Sequence, residues 1–86
     1  MRSGYSKAKT RVRLSSGDSV RVAREMLGWS QNELAKRTKI PQSTISGIES
    51  DRIVLGVERA KKLAVALNVH PAVLLFPQWE IGKSVA

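Results

Sequence analysis

The chain contains no cysteine, so neither a disulfide framework nor a thiolate zinc site can form. No acidic cluster supplies metal ligands in place of thiolates, and His70 is the single histidine, standing before Pro71 at a predicted turn. We therefore expect no metal and no other cofactor. The fold must be held together by side-chain packing.

Acidic residues are few compared with basic ones. There are 7 Asp and Glu against 15 Lys and Arg, which gives a formal net charge of +8. Such a charge favours a polyanionic partner. Nucleic acid is the first candidate and an anionic membrane surface is the second, while a basic surface that only improves solubility is the third.

Aromatic residues and long apolar runs are also scarce. The aromatic side chains do not alternate with basic ones as they would in a platform for single-stranded bases, so a duplex is favoured. No apolar run approaches the roughly 20 residues of a membrane span, and the basic N-terminus lacks the apolar stretch of a secretion signal. We expect a soluble, cytoplasmic protein with no membrane partner.

Catalytic motifs are missing as well. Serine is frequent, but no Gly-x-Ser-x-Gly elbow and no glycine-rich phosphate loop occurs. A length of 86 residues leaves room for one compact domain and excludes a large enzyme core. We predict that the protein is not an enzyme.

The first 17 residues differ from the rest in composition, because they contain five cations and no acid: Arg2, Lys7, Lys9, Arg11 and Arg13. This shift predicts a flexible basic arm over residues 1–17. Thr10, Val12 and Leu14 alternate with basic residues, so a short strand on the sheet edge of a partner is the alternative.

Helical spacing begins after this arm, and residues 18–76 are predicted to fold as an all-α domain. Asp18 is a suitable N-cap for a first helix, and Gly28 is a suitable end. Val20 and Leu27 recur at the spacing of one helix face, which we expect to point into the core.

A second helix is expected after Ser30, whose side chain can form a capping box with Glu33, and it should end near Thr38. A third helix is predicted over Pro41 to Ser50, with Pro41 at its first position. About three residues separate the two helices, so they must cross steeply and leave one face of the third helix free. That face is polar and nearly uncharged, which suits hydrogen bonding at close range.

Two further helices complete the predicted domain. The fourth lies between Gly56 and Asn68 and has Val57 among its core positions, and the fifth begins at Pro71. Residues 77–86 are predicted to be a tail. Apolar side chains near the C-terminus can complete the core or close a dimer interface: Leu74, Leu75, Phe76, Trp79 and Ile81.

Three segments resemble a known family: WSQNELA at 29–35, IPQSTISGIE at 40–49 and AKKLAVALNV at 60–69. They are similar to the phage repressor and Cro-like helix-turn-helix family, also called the Xre family. The resemblance covers about residues 18–76. It implies a lambda-repressor-like fold of five helices that is usually dimeric and places its third helix in the major groove of double-stranded DNA.

The resemblance also implies roles for individual side chains. Base contacts would come from the third helix, through Gln42, Ser43, Thr44 and Ser46. Phosphate contacts would come from Gln31, Asn32 and Arg52. Gln42 is the leading base reader, because an amide can bond adenine N6 and N7 together. Arg24 and Glu49 are placed as a structural ion pair.

Three positions depart from the family pattern. Lys39 and Asp51 stand where the family often has glycine, and each is expected to strain the backbone modestly. Gly47 stands where many members present a base-contacting side chain. Glycine at this helical position costs about 1 kcal/mol in helix propensity. We therefore interpret Gly47 as a point of close approach to the DNA or as a position of weak readout of one base pair.

Two functions are compatible with such a domain. The first is a transcriptional regulator, in particular a repressor, that binds its operator as a homodimer. The second is an antitoxin that neutralises a protein toxin and autoregulates its own operon. We favour the regulator, and the basic arm without an assigned role keeps the antitoxin hypothesis open.

Overall fold

The computed structural model describes residues 14–78. This part of the chain forms five helices: α1 (Ser16–Met26), α2 (Gln31–Thr38), α3 (Gln42–Glu49), α4 (Val57–Leu67) and α5 (Pro71–Leu75). The prediction of an all-α fold with five helices is confirmed. None of the helices within residues 14–78 is long and apolar enough to cross a bilayer.

The start of α1 differs from the sequence prediction, because Ser15 and not Asp18 is the N-cap. The Ser15 hydroxyl accepts from the Asp18 backbone N–H at 3.0 Å, and the Asp18 carboxylate accepts from the Ser15 backbone N–H at 3.1 Å. The latter bond is the largest cause of the lowered pKa of Asp18, followed by its contacts with the Ser15 hydroxyl and Arg21. The boundary expected at Gly17 therefore falls inside α1.

The other helix ends follow the expected capping chemistry with two local differences. Ser30 caps α2 by accepting from the Glu33 N–H at 3.0 Å, as predicted. The Glu33 carboxylate does not return to Ser30 and instead accepts from Arg37 at 2.7 Å, one helical turn further on. Pro41 is the N-cap residue of α3 and not its first helical residue, so α3 begins one position later than expected.

A single apolar core joins the helices. Its fully buried side chains come from α1 to α5, and the largest are Leu34, Ile45, Ile48, Leu63, Leu74 and Val20. Two residues expected in the core are exposed, namely Leu27 at 44% and Val57 at 56%. Leu27 is the C-cap of α1 and Val57 is the first residue of α4, so both lie at helix ends that leave the core.

Three non-glycine residues adopt the left-handed backbone conformation. Lys39 has a φ of 61°, Asp51 of 63° and Asn68 of 59°. Lys39 and Asp51 are the positions where glycine was expected from the family pattern. The Asp51 carboxylate accepts from the Ser15 hydroxyl at 2.7 Å and from the Gly17 N–H at 3.2 Å. These bonds tie the loop after α3 to the start of α1 and offset the backbone strain at Asp51.

Candidate nucleic-acid interface

The crossing of α2 and α3 determines which face of α3 is exposed. Leu34 on α2, Ile40 in the turn, and Ile45 and Ile48 on α3 are all buried and fill the angle between the helices. Ala35 packs against this core. Because one stripe of α3 is committed to packing, its opposite stripe is left at the surface, as the sequence predicted.

The exposed stripe carries the predicted base-contacting residues. Gln42 and Ser43 are exposed, and Thr44 and Ser46 are partly exposed. Their side chains are short or neutral, and the charged residue of α3, Glu49, is buried. The surface of α3 therefore offers hydrogen-bonding groups without a charge that would have to be desolvated.

Below this surface, Glu49 forms a buried ion pair with Arg24 of α1. The Arg24 Nε donates to Glu49 Oε2 at 2.7 Å, and Nη2 donates to Oε1 at 2.9 Å. The remaining Arg24 nitrogen, Nη1, donates to the Trp29 carbonyl oxygen at 2.7 Å. Hydrogen bonding to Glu49 raises the pKa of Arg24 above its ordinary value. The structure thus brings together the two residues that the resemblance placed as an ion pair.

Two glutamines connect the buried Glu49 carboxylate to the surface by hydrogen bonds, and we call this chain of bonds the relay. Glu49 Oε1 accepts from Gln31 Nε2 at 3.0 Å. Gln31 Oε1 in turn accepts from Gln42 Nε2 at 2.7 Å. An ionised carboxylate can only accept, so it fixes which end of the Gln31 amide faces inward. The Gln31 oxygen must then face Gln42.

This relay leaves a defined pair of groups on Gln42. One N–H of its amide is bonded to Gln31, while the other N–H and the carbonyl oxygen remain on an exposed side chain. One donor beside one acceptor is the pattern that complements N7 and N6 of adenine. The arrangement can therefore recognise a base edge without first having to order the Gln42 amide.

The predicted phosphate contacts lie around this surface. Gln31 and Asn32 are the first residues of α2, where backbone N–H groups lack intrahelical partners and attract anions. The Gln31 side chain, expected from sequence to bind phosphate, is instead engaged with Glu49 and Gln42. Arg52 is exposed beyond α3, and its Nε donates to Ser50 Oγ at 2.9 Å. The predicted arm residues Arg2, Lys7, Lys9, Arg11 and Arg13 lie outside the described residues.

The interpretation of Gly47 as a point of close approach to DNA is wrong, while weak readout at one base pair stays a prediction. Gly47 is buried and does not belong to the exposed stripe of α3. A Cβ at this position would lie 2.8 Å from Ile53 Cγ1, so the space is filled by the side chain that follows α3. Glycine is favoured here because the Ile53 side chain of the loop packs onto the helix at this position.

Sequence reasoning named Gln31, Glu49 and Asp51 but missed the contacts that their side chains make. The link from Gln31 to Glu49 joins residues 18 positions apart and has no local signature. Asp51 was noted only as a departure from glycine. Its position three residues after Ile48, together with the ability of aspartate to cap helices, could have indicated its contact with the start of α1. His70, by contrast, is the exposed turn residue that was predicted, and its Nδ1 accepts from the Ala72 N–H at 3.0 Å.

Comparisons with known proteins agree with this geometry. The chain matches the helix-turn-helix family model over residues 20–74. The Neisseria hypothetical transcription factor of Neisseria meningitidis serogroup B is 34% identical over 62 residues, or 72% of this chain. The chain spans only 58% of the length of that relative.

Solved structures show the same fold. The P22 c2 repressor in complex with a synthetic operator has a TM-score of 0.70 and 26% identity, over 74% of this chain and 97% of that chain. SinR, a master regulator for biofilm formation in complex with DNA, has a TM-score of 0.66 and 25% identity, over 69% and 95%. NHTF from Neisseria has a TM-score of 0.70 and 29% identity, over 84% and 83%.

These matches confirm the family and the lambda-repressor-like fold that were predicted from sequence. The family model covers all of α2, α3 and α4, including the relay between Glu49 and Gln42. The chain belongs to the helix-turn-helix family.

Proposed function

We propose that this chain binds double-stranded DNA in a sequence-dependent manner and regulates transcription as a repressor. The observation that carries the proposal is the exposed, uncharged face of α3. Gln42 lies at the start of this face, and its amide is held in place by a hydrogen bond to Gln31. The P22 c2 repressor and SinR, which share the fold, are both described in complex with DNA. In the proposed complex α3 enters the major groove, and the Gln42 amide forms hydrogen bonds with an adenine.

Backbone contacts would hold α3 in register. The N-terminal turn of α2 offers the N–H groups of Gln31 and Asn32 to one phosphate. Arg52 lies just beyond the other end of α3, and its guanidinium keeps N–H groups besides the one bonded to Ser50. The five cations of residues 1–17 would extend this positive surface along the duplex. Such contacts position the protein but carry no sequence information.

A homodimer in the cytoplasm is part of the proposal. α3 has 8 residues and is therefore only about 12 Å long, so one copy can read a few base pairs. Two copies on half-sites one helical turn apart, about 34 Å, would read enough sequence to select an operator. No catalytic step is involved.

The antitoxin hypothesis has less support. The relatives described above are named as a repressor, a master regulator and transcription factors, and none of them as an antitoxin. A protein toxin therefore remains the alternative partner, and the basic arm is the segment through which it would bind.

The proposal is tested by Gln42→Ala. We expect the variant to bind the preferred duplex of the wild-type chain about 1–3 kcal/mol more weakly and a random duplex equally well, because only base-edge bonds are lost. Titration of both duplexes at one salt concentration measures the difference. The control is Val65→Ala, since Val65 is 82% exposed on α4, away from α3. Equal weakening on both duplexes would assign Gln42 to a phosphate, and unchanged binding would contradict the proposed interface.

A further inference from the structure

An apolar groove of about 930 Å³ lies on α1 and α5, away from the polar stripe of α3. The side chains that give it its character are Val22, Met26, Leu27, Val73 and Phe76. Met26 is 82% exposed and Phe76 is 61% exposed, far more than apolar side chains that pack against a core. Large contiguous apolar surfaces of this kind are usually covered by another group.

The chemistry of the groove limits what can cover it. Ser19 is the polar side chain among the described residues that line it, and its hydroxyl already donates to the Val73 carbonyl oxygen at 2.9 Å. The described part of the lining offers no charge to pair with a polar ligand. The occupant must therefore be apolar on the side that faces the groove.

The path of the chain brings such an occupant to the edge of the groove. Leu14 and Pro77 both line it. Gln78, the last described residue, donates through Nε2 to the Leu14 carbonyl oxygen at 2.6 Å. The described part of the chain therefore ends at the rim of the groove, and the sequence continues from there with residues 79–86.

The composition of residues 79–86 matches the groove. Trp79 and Ile81 are two positions apart, so an extended backbone would place both on one side and Glu80 on the other. Eight extended residues reach about 26 Å, whereas α1 with its 11 residues is about 16 Å long. The segment is thus long enough to cross the groove completely.

We propose that residues 79–86 fold back into the groove of their own molecule, with Trp79 and Ile81 covering the apolar surface of α1 and α5. A second copy is the other candidate, but a stable interface takes about 20–30 residues from each partner. Within residues 14–78, 12 residues line the groove. A segment already attached at the rim is present at an effective concentration of the order of millimolar. This assignment differs from the dimer contact expected from sequence, and it does not depend on DNA binding.

The fluorescence of Trp79 in the full chain tests this inference. Trp29→Phe leaves Trp79 as the only tryptophan. We expect its emission to be blue-shifted and weakly quenched by iodide. A further Met26→Lys change should shift the emission to the red and raise the quenching constant several-fold. Val65→Lys is the matched control, because Val65 on α4 is also 82% exposed but lies outside the groove, and it should change neither quantity.

Two results would overturn the inference. Emission typical of an exposed indole in the parent, or a blue shift that survives Met26→Lys, would mean that Trp79 does not lie in the groove. A blue shift that appears only as the protein concentration rises would assign the groove to a second copy. Because the chain has no cysteine, Met26→Cys with Ile81→Cys distinguishes the same cases. Oxidation should give a disulfide within one molecule, whereas disulfide-linked dimers would contradict the proposal.

Discussion

At Gly17 the backbone of α1 passes directly against the end of α3. A Cβ at this position would overlap the carbonyl oxygen of Ile48 and lie within 2.9 Å of the carbonyl oxygen of Glu49. Backbone atoms cannot move aside as the end of a flexible side chain can. The absence of a side chain at residue 17 thus allows α1 and α3 to approach closely enough for the Arg24–Glu49 pair to form.

Gly17→Ala is therefore expected to destabilise the domain by about 1–3 kcal/mol, the usual cost of inserting an extra carbon into a packed contact. Denaturation in urea measures the change in the free energy of unfolding. Gly56→Ala is the control, because a Cβ at Gly56 has no neighbour within 4 Å and the loss at this N-cap should stay below about 1 kcal/mol. Equal stability of Gly17→Ala and the wild-type chain would show that the two helices are not in close contact.

Among the helices, the ion pair between Arg24 and Glu49 connects α1 to α3. The Arg24 side chain is 10% exposed and that of Glu49 is 3% exposed, so both charges are largely shielded from water. Loss of Arg24 would leave the Glu49 charge buried without a counter-ion, and loss of Glu49 would leave Arg24 with only the half-exposed Glu25, 3.9 Å from Nη2. Glu49 would also lose its hold on Gln31, so the effect would extend to the surface of α3.

We expect Arg24→Met and Glu49→Leu each to lower the free energy of unfolding by roughly 3–5 kcal/mol. The double variant should be destabilised by clearly less than the sum, because no unpaired charge remains in it. Chemical denaturation of the three variants and the wild-type chain completes this double-mutant cycle. Small and additive losses would indicate that the pair is solvated and structurally unimportant.

Helix positions could be predicted from sequence wherever capping is local. Ser30 caps the start of α2 and Asn68 caps the end of α4 as expected, because a bond to the backbone N–H three residues away or a tolerated left-handed backbone is enough. The start of α1 was misplaced by choosing Asp18 over Ser15, although Ser15 and Asp18 together have the spacing of a capping box. The choice of Asp18 alone overlooked Ser15, its reciprocal partner in the capping box.

The parts that could not be predicted depend on contacts between distant residues. Gly47 faces Ile53 and not the solvent, and helical spacing cannot show what folds back onto a helix after it ends. Gln31 and Gln42 were both singled out, but as separate contacts to phosphate and base. Their bond, and its link to Glu49, appear only when α2 crosses α3.

In the whole molecule, the charge distribution indicates that the basic arm and the helical domain contribute differently to DNA binding. Residues 1–17 hold five of the cations, and the proposed base contacts in α3 are uncharged. The arm would then supply affinity that depends on salt, while α3 would supply selectivity.

Deletion of residues 1–13 should therefore flatten the dependence of log K on log salt. If the arm neutralises about two to four phosphates, the slope should fall by roughly 0.9 for each lost contact. Binding isotherms at several salt concentrations measure this slope for the truncated and the full chain, with a folded-state melt as the control. An unchanged slope would remove the arm from the DNA and favour a protein partner, as the antitoxin hypothesis requires.

Selection of binding sites from a random duplex pool tests the central claim most directly, when it is done with the wild-type chain and with Gln42→Arg. We predict that the wild-type chain selects a sequence with two related half-sites and an A·T pair opposite Gln42. Arginine bonds guanine O6 and N7, so Gln42→Arg should change that position to G·C and leave the others as they were. A selected sequence that is identical for both proteins, or the absence of any selected sequence, would contradict base readout by the exposed face of α3.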